Sequence, residues 1–258
     1  MSEHKKGGKT GLIWSFTILL IILTLWSVLS LTAILPPTIV PSPFIVANSF
    51  FLELNSGRLI EDLIASLFRI TTGYALAVIT GIPMGLWLGL NPTRQAAVLP
   101  FVNFFRNLSP LTWIPFAILW FGIGDLPAIF LIFMTAFFPL VLATVAAVAS
   151  IPATYFRVAN EYKLNSREIL LQITLPAIQP QIITALRMTA GLSWLVLVAA
   201  EMIAGRDGLG YAVWDARNGL RIDLLIVQML VIGTMGIVID KILLRLTKNP
   251  RVQWSYAK

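Results

Sequence analysis

Long apolar runs, separated by short polar segments, dominate the pattern of the chain. No aspartate, glutamate, lysine or arginine occurs from Thr10 to Leu52, from Ile70 to Thr93, or from Leu126 to Phe156. Because a helix needs about 20 apolar residues to cross a bilayer, each of these windows is long enough to hold a span. The pattern predicts six membrane-spanning helices, at about residues 12–35, 70–90, 97–122, 126–149, 177–203 and 224–246.

The third predicted span differs from the others, because Arg106, Pro110 and Pro115 interrupt it. Proline removes an amide donor and kinks a helix, and in a membrane such a break persists only where protein or a water-filled cavity covers it. A plain kinked helix is the alternative. Arg106 stands beside Asn107 and Ser109 and is a candidate for a translocation pathway, unless its head reaches the membrane interface instead.

Two connecting segments have patterns of their own. In residues 36–69, prolines favour extended chain before two short helical patterns, which predicts a loop with two interfacial helices. In residues 205–223, Gly205, Gly208 and Gly210 favour tight turns, and alternating charges follow. We expect this second segment to be a surface or re-entrant loop that meets a partner; the alternative is a loop that is merely solvated.

Composition supports a membrane protein. Of the 258 residues, 57% are hydrophobic and 12% are charged, against about a quarter charged in an ordinary soluble domain. The absence of cysteine excludes disulfides and thiolate metal sites, and the single histidine, His4, lies in a polar N-terminal stretch. The first apolar run has about 24 residues, more than the 7–15 of a signal peptide core, so we expect a retained span, with a signal-like segment as the alternative.

The net charge of +7 comes from basic residues scattered between the apolar runs, a distribution that indicates membrane orientation more than nucleic acid binding. With the N-terminus inside, the cytoplasmic segments hold twelve lysines and arginines and the outer segments hold five. This excess places both termini in the cytoplasm. The predicted organisation is a cytoplasmic tail (1–11), a transmembrane domain (12–246) with a cytoplasmic loop at 150–176, and a second cytoplasmic tail (247–258).

The cytoplasmic loop contains EYKLNSREILLQITLP, a polar run with the signals of a short helix. Asn165 can cap this helix, and Glu168 stands three residues later, where the acid of a capping box reaches back to the cap. Pro176 is expected to end the helix, and a second short helix is predicted at 153–162. The apolar positions that share one face are Ile169, Leu170 and Ile173. Such a stripe can dock in a groove of a partner; the alternative is a connector packed on its own bundle.

Ionisable residues at membrane depth are costly and are candidates for function. In the fifth predicted span, Arg187, Trp194 and Glu201 recur every seven residues and share one face of a helix. We expect this face to line a pathway, in which Arg187 attracts an anion, Trp194 forms a constriction, and Glu201 orients an outer gate or braces Arg206. The alternative is that Arg187 and Glu201 are structural and pair with neighbouring spans.

Several stretches carry a resemblance to a known family. The ending ITLP at 173–176, after a short helix and before a span, resembles the cytoplasmic EAA loop in permease subunits of ATP-binding-cassette importers. Residues 66–89, 100–125 and 194–218 resemble the nitrate, sulfonate, taurine and bicarbonate branch of these permeases. The resemblance covers roughly residues 60–246.

The chain departs from the pattern of that loop at two places. The usual glycine ten residues before the isoleucine is replaced by Lys163, and 157–159 holds Arg-Val-Ala where the family has Glu-Ala-Ala. A shortening by two residues, which would put Asn165 at the position of the glycine, explains both departures.

The resemblance implies the all-α fold of a type I importer permease with about six transmembrane helices, in the inner membrane of a bacterial cell. It further implies a second permease copy, two cytoplasmic ATPase subunits that bind ATP and Mg²⁺, and an extracytoplasmic substrate-binding protein. The chain has no G-x-x-x-x-G-K-[ST] phosphate loop, so we expect it to hold no cofactor and no metal and to be no enzyme. Membrane lipid is expected around it, and nucleic acid is not.

The resemblance also assigns roles to residues. The loop is the coupling helix that enters a cleft of the ATPase, which implicates Asn165, Ser166, Arg167, Glu168, Ile169, Leu170, Ile173 and Pro176. The region after the fifth span faces the binding protein in the family, which implicates Arg206, Asp207, Asp215 and Arg217.

Other classes of protein fit less well. A self-sufficient secondary carrier or channel for a small anion is the alternative, and it should show repeats or paired broken helices in its two halves. An intramembrane enzyme lacks support, because neither H-E-x-x-H nor G-x-S-x-G occurs. The basic pathway candidates favour a small oxyanion, and the segment WDARN after VAAEM favours nitrate or bicarbonate over sulfonate or taurine.

Overall fold

The computed structural model describes residues 3–32, 36 and 39–247. The regular structure of these residues is helical. The helices are α1 (Glu3–Leu31), α2 (Pro43–Ser56), α3 (Arg58–Gly89), α4 (Pro92–Asn107), α5 (Ile114–Phe121), α6 (Asp125–Ala149), α7 (Ala153–Glu161), α8 (Ser166–Glu168), α9 (Leu175–Ala204), α10 (Leu209–Asn218) and α11 (Ile222–Thr247). A 3₁₀ turn (Pro110–Trp113) precedes α5, and a π-helical turn (Ile169–Thr174) joins α8 to α9.

Some predictions fall on residues outside the described ranges. They are residues 1 and 2 of the predicted N-terminal tail, residues 33–35 at the end of the first predicted span, residues 37 and 38 of the predicted loop, and the C-terminal tail from residue 248 onward. Three of the basic residues that were counted for orientation also lie there, namely Lys248, Arg251 and Lys258.

Within the described part of the chain, five helices are long and apolar enough to cross a membrane: Trp14–Leu31, Arg58–Gly89, Asp125–Ala149, Ser166–Ala204 and Ile222–Arg245. They correspond to five of the six predicted spans. The remaining one, at 97–122, is divided into α4, the 3₁₀ turn and α5, which confirms that this segment is broken. Pro110 and Pro115 lie in the first turns of the two later pieces, where a missing amide donor costs no helical hydrogen bond.

The prediction of two short helices in residues 36–69 is wrong for the second of them. Ser42 caps α2, and Gly57 ends it in a left-handed conformation with φ of 83°. From Arg58 onward no glycine or proline occurs before Gly73, so nothing stops the new helix, and residues 58–69 form the beginning of the 32-residue α3.

The described residues form two compact units, of which the first comprises residues up to Ile60 together with Ala212–Val231. In this unit the indole of Trp26 donates to the carbonyl of Pro41 at 3.0 Å. The Ser49 hydroxyl donates to the carboxylate of Asp223 at 2.7 Å. The first bond ties α1 to the segment before α2, and the second ties α2 to the start of α11.

The second unit comprises Glu61–Tyr211 and the chain from Ile232 onward. Its core lies where α3, α6 and α9 meet, at Ala77, Ala136, Leu140 and Ala185. Along α3, small residues recur every fourth position and face α6: Gly73, Ala77, Gly81, Gly85 and Gly89. Small residues let membrane helices approach closely, and packing then supplies the attraction that the hydrophobic effect cannot give within lipid.

The glycines of this ridge allow a test of the packing. A Cβ atom at Gly85 would lie 2.5 Å from the Thr144 Cβ and 2.8 Å from the Val141 carbonyl oxygen. We expect Gly85→Ala to lower the stability of the purified protein by about 1–3 kcal/mol, the usual cost of overpacking, as measured by thermal unfolding in detergent.

The matched control is Gly191→Ala in α9, where an added Cβ would meet nothing within 4 Å. This variant should unfold at the wild-type temperature or slightly above it, because alanine favours the helix over glycine by about 1 kcal/mol. Equal destabilisation by the two substitutions would contradict the close contact of α3 with α6.

Candidate functional site

The segment 153–176 is here called the coupling segment. It begins with α7, and specific backbone hydrogen bonds define the C-terminal end of this helix. The amide of Lys163 donates to the Asn160 carbonyl and that of Leu164 to the Ala159 carbonyl, each at 3.0 Å. Lys163 has a φ of 55°. These bonds and this conformation form a Schellman motif, in which the residue after the helix is left-handed and is usually glycine.

This geometry bears on the register of the loop. Lys163, the position at which the resemblance has glycine, takes the left-handed conformation that glycine adopts most easily. Asn165 is extended, with φ of −76° and ψ of 166°. The structure therefore gives no support to a two-residue shortening that moves Asn165 to the position of the glycine.

The capping box at the start of α8 is confirmed. The Asn165 side-chain oxygen accepts from the Glu168 amide at 2.9 Å, and the Glu168 carboxylate accepts from the Asn165 amide at 2.7 Å. Two donors at the helix start, which would otherwise lack a partner, are thus satisfied.

The prediction that Pro176 ends the helix is wrong. The chain stays helical from Ser166 to Ala204, and over Ile169–Thr174 it forms a π-helical turn in which the Leu175 amide donates to the Leu170 carbonyl. Pro176 directly follows this turn, where the hydrogen bonding changes from π-helical to α-helical, so the helix continues past a residue that lacks an amide donor. The coupling segment is therefore joined to α9 without a break in helical structure.

The π-helical turn also changes which side chains are presented. The predicted stripe of Ile169, Leu170 and Ile173 is half-buried, whereas Leu171 is 51% exposed. An exposed apolar stripe that the sequence analysis missed is formed by Tyr155 and Val158 of α7 and by Tyr162, the residue directly after this helix. Their spacing of three and four residues was the available signal.

A groove of about 750 Å³ lies beside this stripe. It is lined by one side chain of α7 and by residues of the π-helical turn, α9 and α3, among them Tyr155, Leu171, Ile173, Pro176, Ile183 and Ile82. Its lining is mostly apolar.

At the other end of α9, Glu201 is the centre of a buried ion cluster. Its carboxylate accepts from the Arg69 guanidinium at 2.8 Å, from the Ser66 hydroxyl at 2.8 and 2.9 Å, and from the Gly210 amide at 2.9 Å. Arg69 and Glu201 are each 1% exposed. The prediction that Glu201 braces Arg206 is wrong, because Glu201 binds Arg69 and Arg206 is exposed.

Arg69 distributes its donors over three carboxylates. It donates to Asp125 at 2.7 Å, forms an ion pair with the Asp207 carboxylate, and donates to the Asp207 carbonyl at 2.8 Å. Asp207, a predicted contact for the binding protein, thus has a partner within the chain while its side chain is half-exposed. α3, α6, α9 and the turn after α9 all meet at this one guanidinium.

Glycine at position 208 allows the turn after α9 to pack directly against the ion cluster. Gly208 has a φ of 99°, and a Cβ there would lie 2.5 Å from a carboxylate oxygen of Glu201. Its amide donates to Asp62 at 2.8 Å, and the next amide, of Leu209, donates to the Ser66 hydroxyl at 2.9 Å. A side chain at 208 would displace the Glu201 carboxylate.

The sequence analysis missed the α3 half of the cluster. Asp62, Ser66 and Arg69 are spaced by four and three residues and so share one face of α3. A polar face on an otherwise apolar helix was the signal, and it indicates a buried network.

Arg187 and Trp194 both face α11. Arg187 makes a bidentate ion pair with Asp240, with nitrogen–oxygen distances of 3.0, 3.1 and 3.2 Å. The Trp194 indole is buried and donates to the Ile232 carbonyl at 3.1 Å. The contacts of Arg187 and Glu201 match the alternative that both pair with neighbouring helices; Glu201, farther along α9, faces α3.

The remaining predicted residues are dispersed. Arg106 is exposed in the last turn of α4, and Arg217 is exposed in the last turn of α10. Asp215 forms a half-exposed ion pair with Arg58 in the first unit. The prediction of a loop at 205–223 is wrong for Leu209–Asn218, which form α10 because small and apolar residues give it a buried face.

Comparisons with known proteins agree with this architecture. Residues 81–249 match the family model described as the binding-protein-dependent transport system inner membrane component. The chain is 36% identical to an ABC transporter permease protein of Methanocaldococcus jannaschii over 73% of this chain and 71% of that protein. It is 37% identical to the bicarbonate transport system permease protein CmpB of Synechococcus elongatus, over 71% of this chain and 66% of that protein.

A nitrate import permease, NrtB of Leptolyngbya laminosa, is 36% identical over 70% of this chain and 65% of that protein. The chain thus matches about two thirds of the length of the bicarbonate and nitrate relatives. Among solved structures, a chain of the MetNI methionine ABC transporter in an inward-facing conformation has a similar fold, with a TM-score of 0.60 at 18% identity. That match covers 76% of this chain and 99% of the other.

The left-handed Lys163 yields a stability test. An L-residue pays roughly 1–2 kcal/mol for this conformation and glycine does not, although glycine loses more entropy on folding. We expect Lys163→Gly to raise the stability of the protein by up to about 1 kcal/mol and Lys163→Val to lower it, both measured by thermal unfolding. In the control Arg157→Gly, inside α7, the same new residue should destabilise. A loss of stability in Lys163→Gly would contradict the helix end described here.

The ion cluster yields a second test. Glu201→Ala removes one of the three carboxylates that bind Arg69 and leaves the Ser66 hydroxyl and the Gly210 amide without this acceptor, so we expect a loss of about 3–5 kcal/mol, typical of a broken buried pair. Asp215→Ala breaks a half-exposed pair with Arg58 and should cost less than about 1 kcal/mol. Thermal unfolding of the two purified variants measures the difference, and similar losses would show that the cluster does not hold α9.

Proposed function

The chain belongs to the family of binding-protein-dependent transport system inner membrane components, as a type I ABC importer permease of the nitrate and bicarbonate branch; we propose that it forms, with a second copy, the pathway for a small oxyanion of the nitrate or bicarbonate type. In this proposal, ATP hydrolysis in two separate cytoplasmic subunits drives transport, and an extracytoplasmic binding protein delivers the anion.

The coupling segment is the observation that carries the proposal. It presents an exposed apolar stripe on α7 next to an apolar groove, which is the kind of surface that a partner groove binds. It also continues into α9, so a force applied at the segment acts directly on a 30-residue membrane helix. A self-contained carrier has no need of such a surface.

The orientation follows from the basic residues. With both termini inside, the broken segment 92–121 counts as a crossing and the coupling segment lies in the cytoplasm, where the ATPase binds ATP and Mg²⁺. The opposite side then carries the turn after α9 and α10. There Arg206 and Arg217 are exposed, whereas Asp207 and Asp215 pair with arginines of the same chain. We assign these four residues to contacts with the binding protein.

We assign the pathway to the side of α9 and α11 where Arg187 and Asp240 remain partly exposed, alongside a second copy. Arg187 is its basic residue. Trp194 is buried and bonded to α11, so its role in this proposal is to hold α9 against α11. Arg106, exposed within the broken segment, is a further candidate for contact with the anion.

The docking surface can be tested by substitution. Val158→Glu places a charge in the middle of the α7 stripe, and a desolvated charge at an interface typically costs several kcal/mol. We expect this variant to lose most of its co-purification with the ATPase subunit and most of its ATP-driven uptake of nitrate or bicarbonate, while its own thermal stability stays near that of the wild type.

The matched control is Asn160→Asp. Asn160 is exposed and lies about 160° from the stripe around α7, at 100° per residue. This variant adds the same charge and should retain the ATPase subunit. Retention of ATPase and coupling by Val158→Glu, or equal losses in both variants, would count against docking through α7.

A further inference from the structure

The Arg187–Asp240 pair occupies an unusual place for two charges. Both residues lie within helices long and apolar enough to cross a membrane, yet the side chains remain 33% and 53% exposed. A charge that faces lipid is costly, so such residues face water or other protein. The exposed side of this pair is therefore expected to meet the water-filled interior of the assembled transporter.

The chemistry of the pair resembles that of a substrate complex. Asp240 presents two oxygens on one planar group to the fork of Arg187, with contacts from both Nε and Nη2. Nitrate and bicarbonate are planar anions that offer the same O–X–O edge, and arginine binds such edges in a bidentate manner. The carboxylate thus occupies the place that a planar oxyanion would take.

We propose that Arg187 is an anion-binding site in which Asp240 acts as a built-in competitor that exchanges with a planar oxyanion such as nitrate or bicarbonate. This inference rests on the proposed function and names the site of the anion. An arriving anion takes the Arg187 fork, and Asp240 turns into the water that already reaches it. The released carboxylate then repels the anion, which leaves as Asp240 returns.

Competition of this kind suits a transporter. A bare arginine in a cavity of low dielectric constant would hold an anion strongly, and transport requires binding that is weak enough for release. The pair also leaves no unpaired charge within the membrane when no substrate is bound. Trp194, two turns away on α9 and bonded to α11, keeps the two helices at the spacing that the exchange needs.

Equilibrium binding of nitrate and of bicarbonate to the assembled complex in nanodiscs, without the binding protein, tests the site. We expect Asp240→Asn to bind nitrate roughly fivefold more tightly than the wild type, the factor that corresponds to losing a competing ion pair of ~1 kcal/mol. Arg187→Gln should abolish binding. The control Asp223→Asn, which breaks an Arg–Asp pair at the start of the same helix, should bind as the wild type does.

A double variant distinguishes an anion-binding pair from a pair whose role is only structural. The double variant Arg187→Gln with Asp240→Asn removes both charges together, so it leaves neither one unpaired and is expected to assemble. In proteoliposomes with ATPase and binding protein it should lose at least about tenfold in uptake, a factor equal to 1.4 kcal/mol. Wild-type uptake by the double variant, or unchanged nitrate affinity in Asp240→Asn, would overturn the proposal.

The two readouts separate this inference from the proposed function. If the wild-type complex takes up neither nitrate nor bicarbonate, the proposed substrate is wrong, and the binding measurements still decide whether Arg187 is an anion site. If uptake is normal in the double variant, the permease function stands and the site is wrong.

Discussion

The buried pair of Arg69 and Glu201 is the interaction on which the arrangement of the second unit depends. A buried ion pair is costly to form unless its remaining hydrogen-bonding groups are satisfied, and here Ser66, Asp125, Asp207 and the amide of Gly210 complete the set. The cluster fixes one end of α9 against α3, α6 and the turn that follows. The other end of α9, at the coupling segment, is not held by this cluster.

α9 then connects the proposed sites of the protein in one helix. It begins at the π-helical turn of the coupling segment, carries Arg187 opposite Asp240 and Trp194 against α11, and ends in the ion cluster. A π-helical turn is often found at a functional site. A movement of α7 and α8 would be passed to α9 through this turn. α9 packs on α3 and α6, which the small residues of α3 hold in close contact with each other.

Local features could be predicted from the sequence, and distant pairings could not. The Asn165–Glu168 capping box depends on residues three apart, and the break near Pro110 depends on proline itself, so both follow from local chemistry. The partner of Glu201, Arg69, lies 132 positions earlier in the chain, at the end of the predicted loop 36–69. The prediction at Pro176 was wrong because a π-helical turn before the proline lets the helix continue. That turn depends on how the segment joins α9, which local propensity does not indicate.

The central claim is that this chain provides a pathway but depends on other subunits for its energy. The most direct measurement is nitrate and bicarbonate uptake into proteoliposomes that contain the chain alone or together with its ATPase subunit, binding protein and ATP. The account predicts uptake only in the complete system, with none when ATP is omitted. Uptake of either anion by the chain alone would contradict it and indicate a self-sufficient carrier or channel.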